Sequence, residues 1–365
     1  MLYGAQSGGV ARYLREKRGW LARNTSMRHT LVVPDARDGV GPHGEILIRT
    51  RAFTRSPWRW PYDAPRWVRE ICARAPDLIE AGDPGPIGWM AMYSAHRLGV
   101  PLVAFCHSDV VRLVAQRLSR PLALVVREYV RSFYRRCDVV VAPSQYMKRE
   151  LAAWGVERVV VRPLGVDLRV FSPSARRYEL RRELGLPPRS RVLVYAGRFA
   201  PEKNVDVLLE AFRKLGPEYR LVMAGSGAAL APQANVIHVP YVESPRDLAR
   251  LLASADGLVH AGDQETFGLI LLEAMACGRG VIAPNAGAAP ELVGDAGVLV
   301  APRNPAALAE GVHAFYDAGT EALGMRARTR VEERYTWDAA MRGMLGVYRA
   351  ALCAPAALGT RYAAS

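Results

Sequence analysis

The chain has 365 residues, half of them apolar, and a formal net charge of +14. Its length suffices for two domains with full hydrophobic cores, and no apolar run approaches the ~18 residues of a membrane-spanning helix. The first twenty residues lack the apolar core of a signal peptide, and the five scattered cysteines include no C-x-x-C pair. These features argue against a disulfide or zinc scaffold and favour a cytoplasmic protein with buried free thiols.

The positive charge is concentrated in the first half of the chain. Residues 1–172 contain 27 Lys and Arg against 15 Asp and Glu, a net +12, whereas the remainder carries only +2. Such asymmetry indicates an anionic partner, which could be a membrane surface, a nucleic acid or an acidic ligand. Arginines that are simply solvated explain the same excess, so both interpretations stay open.

Short apolar runs rich in β-branched residues alternate with helical patterns through the first half. This alternation predicts a parallel α/β sheet, with helices over 87–99 and 121–136. The predicted strands are HTLVVP (29–34), EILIRT (45–50), DLIEAG (77–82), PLVAFC (101–106), DVVVAPS (138–144) and RVVVRPLG (158–165).

A second α/β pattern follows a segment rich in proline and charge, 171–191, which predicts a linker with a short helix. We therefore predict domains at 1–172 and 173–335, and a C-terminal helix and tail at 336–365 that return to the first domain. Because ligands of such sheets bind beyond the carboxyl ends of the strands, we expect a cleft between the domains. The second set of strands is VLVYAG (192–197), YRLVMAG (219–225), NVIHVP (235–240), GLVHAG (257–262), GVIAPN (280–285) and GVLV (297–300).

Three positions of the first half could contact a ligand. Gly8 and Gly9, in SGGVARYL, indicate a glycine loop that opens a helix and lets the backbone approach a phosphate; an ordinary turn is the alternative. His107 ends the apolar run PLVAFC, where a histidine could face a ligand or serve the core.

Two loops of the second half carry further candidates. Arg198 and Lys203 follow VLVYAG, and two cations at a strand end suit a diphosphate, although solvated surface charges are the alternative. Gly225 opens Gly-Ser-Gly after YRLVMAG, but Leu230 occupies the third glycine position of a dinucleotide fingerprint. This near match predicts only a tight loop that could approach a nucleotide backbone.

The stretch ETFGLILLEAMACG (265–278) sets two glutamates eight residues apart in an otherwise apolar run. We predict that a helix begins near Phe267 and Gly268, so that Glu265 lies in the preceding loop and Glu273 lies inside the helix, facing the cleft. Amides at the start of that helix would point at an anion, and the carboxylates could bind sugar hydroxyls. Pairing of both carboxylates with arginines is the alternative.

Together these motifs resemble the retaining glycosyltransferases of the GT-B fold, family 4. The spacing of Glu265 and Glu273, the two cations, the glycine pair and the strand-end histidine carry the resemblance, with RPLGVDLRVF (162–171) and APNAGAAPELV (283–293). The resemblance implies an α/β chain of two Rossmann-like parallel-sheet domains that face each other across a cleft.

The resemblance also implies roles for residues of the second domain. Arg198 and Lys203 would bind the diphosphate of a nucleotide-sugar donor, Glu273 the ribose hydroxyls, and Glu265 a hydroxyl of the donor sugar. Gly225 would lie near the nucleotide. Amides around three residues would contact the sugar and the phosphate: Phe267, Gly268 and Leu269.

In the first domain, Gly8 and Gly9 would close over the diphosphate and His107 would lie beside the donor sugar. The family typically needs no metal and no cofactor, and the leaving phosphate helps to deprotonate the acceptor. The protein would then act mainly by electrostatic stabilisation of the diphosphate and of an oxocarbenium-like sugar. The catalytic candidates are His107, Arg198, Lys203 and Glu265.

The donor and the acceptor are less sharply defined. The strings VHAGDQETFGL, EAGDPGPIGWM and AFCHSDVVRL resemble GDP-mannose-dependent α-mannosyltransferases of bacterial envelope synthesis, and a UDP-glucose-dependent glucosyltransferase is the alternative. The expected acceptor is a glycan or a lipid-linked sugar. A GT-B phosphorylase or epimerase is a second class. A polyanion-binding protein without catalysis is a third, but no aromatic residues interleave a basic surface and we expect no nucleic-acid partner.

The N-terminus departs from the family pattern, which implies a full β-strand before the glycine pair. Only seven residues, MLYGAQS, precede Gly8, so Met1–Tyr3 would match only the end of that strand. We expect the first strand to be missing, either because the start was assigned too late or because the chain is a truncated, inactive copy. Restored upstream residues should then raise stability and activity.

The segment RPLALVVREYVRSFYRR (120–136) is the local candidate for contact with a membrane at its inner face. It predicts a helix with an apolar stripe and with four arginines off that stripe, Arg127, Arg131, Arg135 and Arg136. Packing of the stripe on the sheet is the alternative. The predicted stripe comprises Leu122, Val125, Val126, Tyr129, Val130 and Phe133.

Overall fold

A computed structural model describes residues 8–52, 59–117, 120–228 and 230–354. The chain divides into two compact units, one of residues 1–162 with 340–365 and one of residues 163–339. The division falls ten residues before the predicted position because the segment after Arg162 binds the second unit. Within it, the Val166 amide donates to the Tyr335 carbonyl at 2.9 Å. The predicted missing strand falls on residues 1–7, outside the described residues.

Unit 1 contains all the strands predicted for the first half. Their pairing separates β1 and β3, which pair in parallel with the antiparallel β2 beside them, from a parallel sheet in the order β6-β7-β8-β9. A two-stranded hairpin pairs β4 with β5. The strands are β1 Val32–Asp35, β2 Gly39–Val40, β3 Ile46–Arg49, β4 Arg51–Ala52, β5 Arg59–Trp60, β6 Ile79–Ala81, β7 Leu102–Phe105, β8 Val139–Ala142 and β9 Val159–Val161.

Helices cover the four-stranded sheet of unit 1. All four residues of β7 are buried, as expected for a strand that is covered on both faces. The predicted helices over 87–99 and 121–136 are confirmed. The helices are α1 Gly8–Asn24, α2 Ala64–Cys72, α3 Pro86–Leu98, α4 Val110–Arg117, α5 Arg120–Arg135 and α6 Gln145–Ala153.

Unit 2 is one six-stranded sheet in the order β12-β11-β10-β13-β14-β15, and every pair is parallel. The predicted linker contains a 3₁₀ turn and one short helix, α7 Leu180–Glu183. β10 and β13 lie side by side in the middle of the sheet, and the later strands are added outward on either side of this pair. The strands are β10 Arg191–Ala196, β11 Tyr219–Ala224, β12 Val236–Val239, β13 Gly257–Val259, β14 Gly280–Pro284 and β15 Gly297–Val300.

The helices of unit 2 pack on this sheet, and a last long helix follows them, of which residues 340–353 belong to unit 1. A buried core that includes Leu193, Phe212, Leu221 and Phe315 joins the sheet to the helices around it. The helices are α8 Val205–Lys214, α9 Pro245–Ser254, α10 Leu269–Ala276, α11 Ala289–Val293, α12 Pro305–Asp317, α13 Thr320–Arg334 and α14 Trp337–Cys353.

The cysteines are unpaired thiols, as predicted. Cys106, Cys137 and Cys277 are buried, Cys72 is half-buried and Cys353 is exposed. Burial raises the pKa of Cys106 to about 12. The three buried thiols are therefore protonated and inert under ordinary conditions.

A buried ion pair ties α14 to the rest of unit 1. The Lys17 ammonium on α1 donates to the Glu80 carboxylate on β6 at 2.6 Å, and the Tyr348 hydroxyl on α14 donates to the same carboxylate. Lys17 is only 2% exposed. A buried charge is tolerated only when it is paired and hydrogen-bonded. The hydroxyl that α14 contributes is one of the hydrogen bonds that stabilise this pair.

We expect Lys17→Met to lower the free energy of unfolding by about 3 kcal/mol or more, because it leaves the Glu80 carboxylate buried without its cation. The matched control is Arg74→Met, which breaks a partly exposed pair with Glu70 and should cost less than about 1 kcal/mol. Lys17→Met/Glu80→Gln should recover part of the loss. Urea denaturation measures all three, and equal losses in the two single variants would contradict the assigned role of the pair.

Candidate active site

The loops after β10 and β13 bring one predicted pair of residues into contact. Lys203 ends the 3₁₀ turn Pro201–Lys203 that follows β10, and Glu265 lies in the loop between β13 and α10. The Lys203 ammonium donates to Glu265 Oε1, and His260 Nε2 lies 2.9 Å from the same oxygen. One carboxylate oxygen thus receives two donors from two different loops.

This arrangement determines the charge of Glu265. Burial by itself would raise the pKa of Glu265, but Lys203 and His260 outweigh it and hold the pKa well below the ordinary value. The carboxylate is therefore ionised throughout the physiological range. It can accept hydrogen bonds from hydroxyl groups and cannot donate one.

A second network of hydrogen bonds joins the same loops. The Asn204 side-chain amide donates to the Ala261 carbonyl and to Asp263 Oδ1, each at 3.0 Å. Arg303 Nε donates to the other Asp263 oxygen at 2.8 Å. Asn204 takes the left-handed conformation, with φ of 48°, which asparagine tolerates better than most residues. This network holds the two strand-end loops in register.

Arg198 has a different carboxylate partner from Lys203. Its guanidinium is 62% exposed and pairs with the buried Glu202 carboxylate at 2.9 Å. Most of the guanidinium is exposed, so an anion could reach it. The predicted diphosphate contact of Arg198 stays a prediction.

Close backbone approach explains the glycine at 225. A Cβ atom there would stand 2.0 Å from the Gly197 carbonyl oxygen, so the loops after β10 and β11 touch through their backbones. The tight loop predicted for Gly-Ser-Gly is present, and its glycine serves the contact between loops. Any approach of a nucleotide to Gly225 stays a prediction.

The helix predicted within ETFGLILLEAMACG is confirmed. Gly268, with φ of 99°, caps α10, and Leu269 is its first residue. The first amides of a helix have no partner within it, so the start of α10 can receive an anion. The Phe267 side chain is buried against Tyr335, with ring centroids 6.2 Å apart; only its backbone could meet a ligand. Glu273 lies inside α10 and is 3% exposed.

The candidates of the first half lie in unit 1. Gly8 is the first residue of α1, and Gly9 is exposed. His107 follows β7 and stacks on Phe105, with ring centroids 4.2 Å apart and planes inclined by 12°. Burial lowers the pKa of His107 to about 4. The imidazole is therefore neutral near pH 7 and could act on a ligand through hydrogen bonds rather than through charge.

Sequence reasoning missed four residues of this site: His260, Asp263, Asn204 and Arg303. The string VHAGDQETFGL contains two of them, so a polar residue at the end of each strand was an available signal. Their partners were not, because Asn204 and Asp263 are 59 positions apart. Within the described ranges, no cluster of three or more His, Cys, Asp or Glu side chains could hold a metal ion. Metal independence stays a prediction.

Comparison with known proteins assigns the chain to a family. Residues 7–170 match the family described as "Glycosyltransferase Family 4", and residues 176–332 match "Glycosyl transferases group 1". A GDP-mannose-dependent alpha-mannosyltransferase of Mycobacterium tuberculosis is 32% identical over 286 residues, 74% of each chain. The chain belongs to the family 4 glycosyltransferases.

Two further relatives of this glycosyltransferase match nearly full length. The GDP-mannose-dependent alpha-mannosyltransferase of Mycolicibacterium smegmatis is 31% identical and spans 90% of both chains. The GDP-mannose-dependent alpha-(1-6)-phosphatidylinositol dimannoside mannosyltransferase of M. tuberculosis is 29% identical over 94% of this chain and 93% of its own.

Solved structures confirm the GT-B fold. Sucrose-phosphate synthase from Thermosynechococcus elongatus superposes with a TM-score of 0.76 at 23% identity, over 94% of this glycosyltransferase and 93% of the synthase. Anabaena HepE in complex with UDP and glucose gives 0.76 at 20% identity, over 95% and 97%. At this identity the likeness concerns the fold alone.

The neutral state of His107 predicts an acid-dependent loss of stability. An unfolded histidine has a pKa near 6.5, whereas burial lowers that of His107 to about 4, so between these values the unfolded chain binds more protons and stability falls as the pH falls. From pH 7 to pH 5 this group should lower the free energy of unfolding by about 2 kcal/mol. His107→Phe keeps the ring stack and should remove that contribution. Urea denaturation at both pH values measures it; an unchanged acid slope in the variant would contradict the assignment.

Proposed function

We propose that this glycosyltransferase moves a mannosyl group from GDP-mannose to a glycan or lipid-linked acceptor with retention of configuration and without a metal. The observation that carries the proposal is the cluster of Lys203, Glu265 and His260 at the carboxyl ends of two neighbouring strands, next to the start of α10. It places a cation that can bind an anion beside a carboxylate that can accept hydrogen bonds from sugar hydroxyls. Three relatives are named for their dependence on GDP-mannose, which supports this donor.

Each part of the site has a task in this reaction. The donor diphosphate binds Arg198 and Lys203 and the first amides of α10, which stabilise the charge that grows on the leaving group. Glu273 accepts hydrogen bonds from the ribose hydroxyls, and Glu265 accepts one from the mannosyl ring. These contacts fix the sugar with its anomeric carbon exposed to the acceptor.

The transfer itself needs no protein nucleophile. The bond between the anomeric carbon and the diphosphate oxygen breaks, and the acceptor oxygen bonds to the same face of the sugar. The leaving phosphate takes the acceptor proton, so atoms and charge balance. The neutral imidazole of His107 serves as a hydrogen-bonding partner of the sugar and leaves the positive charge to Arg198 and Lys203.

We expect Arg198→Ala and Lys203→Ala each to reduce kcat/KM by about ten- to a hundredfold, because a charge-assisted hydrogen bond contributes roughly 1.5–3 kcal/mol. Arg213→Ala is the control, since Arg213 is an exposed cation of the same unit that pairs with Glu210. Release of nucleoside diphosphate from a panel of GDP-mannose, UDP-glucose and UDP-N-acetylglucosamine reports both donor choice and turnover. Turnover of UDP-glucose alone would replace the proposed donor, and near-normal rates in both variants would overturn the diphosphate site.

Substitutions of the two glutamates should affect different measurements. Glu273→Gln should weaken the binding of free GDP about tenfold, because the ribose loses a charge-assisted acceptor. Glu265→Gln should chiefly lower turnover of the sugar donor, since free GDP lacks the sugar. Calorimetry with GDP and kinetics with GDP-mannose distinguish them. Equal GDP affinity in the wild type and Glu273→Gln would contradict the ribose role.

We also propose that unit 1 binds an anionic membrane surface through α5. The predicted stripe is only partly packed on the sheet: Val130 and Phe133 are buried, whereas Leu122, Val125 and Tyr129 are exposed, because the buried face of α5 is rotated toward Ala123 and Tyr134. Val125 is 66% exposed and Leu124 is 55% exposed. Exposed apolar side chains beside arginines fit a surface with anionic headgroups over an apolar layer.

The charges along α5 support only part of the predicted basic face. Arg131 pairs with Glu128 at 2.8 Å and Arg127 lies 3.5 Å from the same carboxylate, while Arg136 donates to the Ser132 carbonyl. Arg135 is exposed. No helix in the described part of the chain is long and apolar enough to cross a bilayer. Contact would therefore be peripheral.

Co-sedimentation with vesicles tests this surface. The wild type should bind vesicles that contain phosphatidylglycerol at low salt and release them at high salt, because about 1 kcal/mol per basic residue is screened. Leu124→Ser/Val125→Ser should weaken binding at unchanged charge. Arg213→Gln, in unit 2, is the control for charge alone. Equal recovery with neutral and anionic vesicles would remove the membrane from the proposal.

A further inference from the structure

One oxygen of Glu265 is contacted by both Lys203 and His260. The proposed function gives only Lys203 a contact with the nucleotide sugar. We infer that His260 is a positioning residue that retains the Glu265 carboxylate when Lys203 turns to the donor diphosphate. The inference rests on the proposed function and extends it to a residue outside the predicted site. It concerns how the site changes partners as the donor binds.

Lys203 cannot neutralise both anions. In this structure its ammonium contacts Glu265 Oε1, whereas the proposed function requires it to bind a diphosphate. The ammonium has three donor hydrogens but a single charge. Once that charge serves the diphosphate, Glu265 is a largely buried carboxylate with a new anion nearby, a costly state unless another group holds it.

His260 is placed to do so. It is 2% exposed, its Nε2 lies 2.9 Å from Glu265 Oε1, and an ionised carboxylate only accepts hydrogen bonds. Nε2 must therefore carry a proton in this contact. His260 belongs to the same loop as Glu265, so their contact does not depend on the loop that carries Lys203.

The ring of His260 has little freedom to turn away. It lies parallel to the ring of Tyr195, with centroids 6.1 Å apart and planes inclined by 7°. The backbone amide of His260 donates to the Ile282 carbonyl at 2.8 Å. A Cβ at Gly262 would stand 2.8 Å from Nε2, so the loop closes around the imidazole and leaves it directed at Glu265.

Asp263, the neighbouring carboxylate, is not a second candidate for the contact with His260. Both oxygens of Asp263 already have partners, Asn204 and Arg303. Within the loop after β13, Glu265 is thus the carboxylate whose cation is also claimed by the substrate. Without His260, Glu265 would hold Lys203 more strongly and diphosphate binding would have to break that contact uncompensated.

The test is a double-mutant cycle read out as GDP affinity by calorimetry. His260→Phe keeps an aromatic ring against Tyr195 and removes the bond to Glu265. It should weaken GDP binding about tenfold, the loss expected for one charge-assisted hydrogen bond. In a Glu265→Gln background the side chain is neutral and needs no cation, so the same substitution should change GDP affinity less than about twofold. His260→Gln can still donate to Glu265 and should restore part of the loss.

His313→Phe is the matched control. It also removes a histidine hydrogen bond, to the Tyr219 hydroxyl at 2.8 Å, and keeps an aromatic ring beside Tyr219, but it lies outside the site. It should leave GDP affinity unchanged. An equal effect of His260→Phe with and without Glu265, or no effect in the wild-type background, would overturn the inference and leave the proposed function standing. A wild type that binds no nucleoside diphosphate would overturn both.

Discussion

The ionised carboxylate of Glu265 is the constraint on which the site depends. It is largely buried, and it stays charged only because Lys203 and His260 both reach the same oxygen. Lys203 comes from the loop after β10 and His260 from the end of β13, neighbouring strands of one parallel sheet. The parallel arrangement brings both strand ends to one edge, so residues 62 positions apart can share a charge.

Contacts between backbones let these loops approach closely enough for their charged side chains to meet. Gly225 lets the loop after β11 touch the Gly197 carbonyl, and Gly287, with φ of 61°, lies where a Cβ would meet the Glu265 backbone at 2.8 Å. The Ala288 amide then donates to the Glu265 carbonyl at 2.9 Å. Side chains at these positions would hold the loops apart. The glycines thus determine the distance at which the charged side chains meet.

Unit 1 also buries titratable side chains, but it stabilises them differently from unit 2. Its charge is buried as the Lys17–Glu80 pair with Tyr348, while its histidine at the end of β7 is kept neutral by burial. The two units therefore differ electrostatically: the described site of unit 2 presents cations and an ionised carboxylate, and His107 presents a neutral ring.

The sequence by itself determined the alternation of strands and helices, the linker over 171–191 and the start of α10. It also determined the positions of Arg198, Lys203 and Glu265 in loops after strands and of Glu273 inside α10. These follow from local patterns: apolar period, β-branched runs, proline and glycine. It also carried the family resemblance, which the comparisons confirmed.

Only the tertiary structure decided which side chains meet. The partners of Glu265 and Asp263, the glycine contacts and the neutral state of His107 depend on residues distant in sequence and on burial, which no local period encodes. The same reason applies to α5, for which the sequence left burial of the apolar stripe open. An apolar stripe does not tell which of its side chains are buried. The neighbouring elements decide that, and here they leave Leu122, Val125 and Tyr129 exposed.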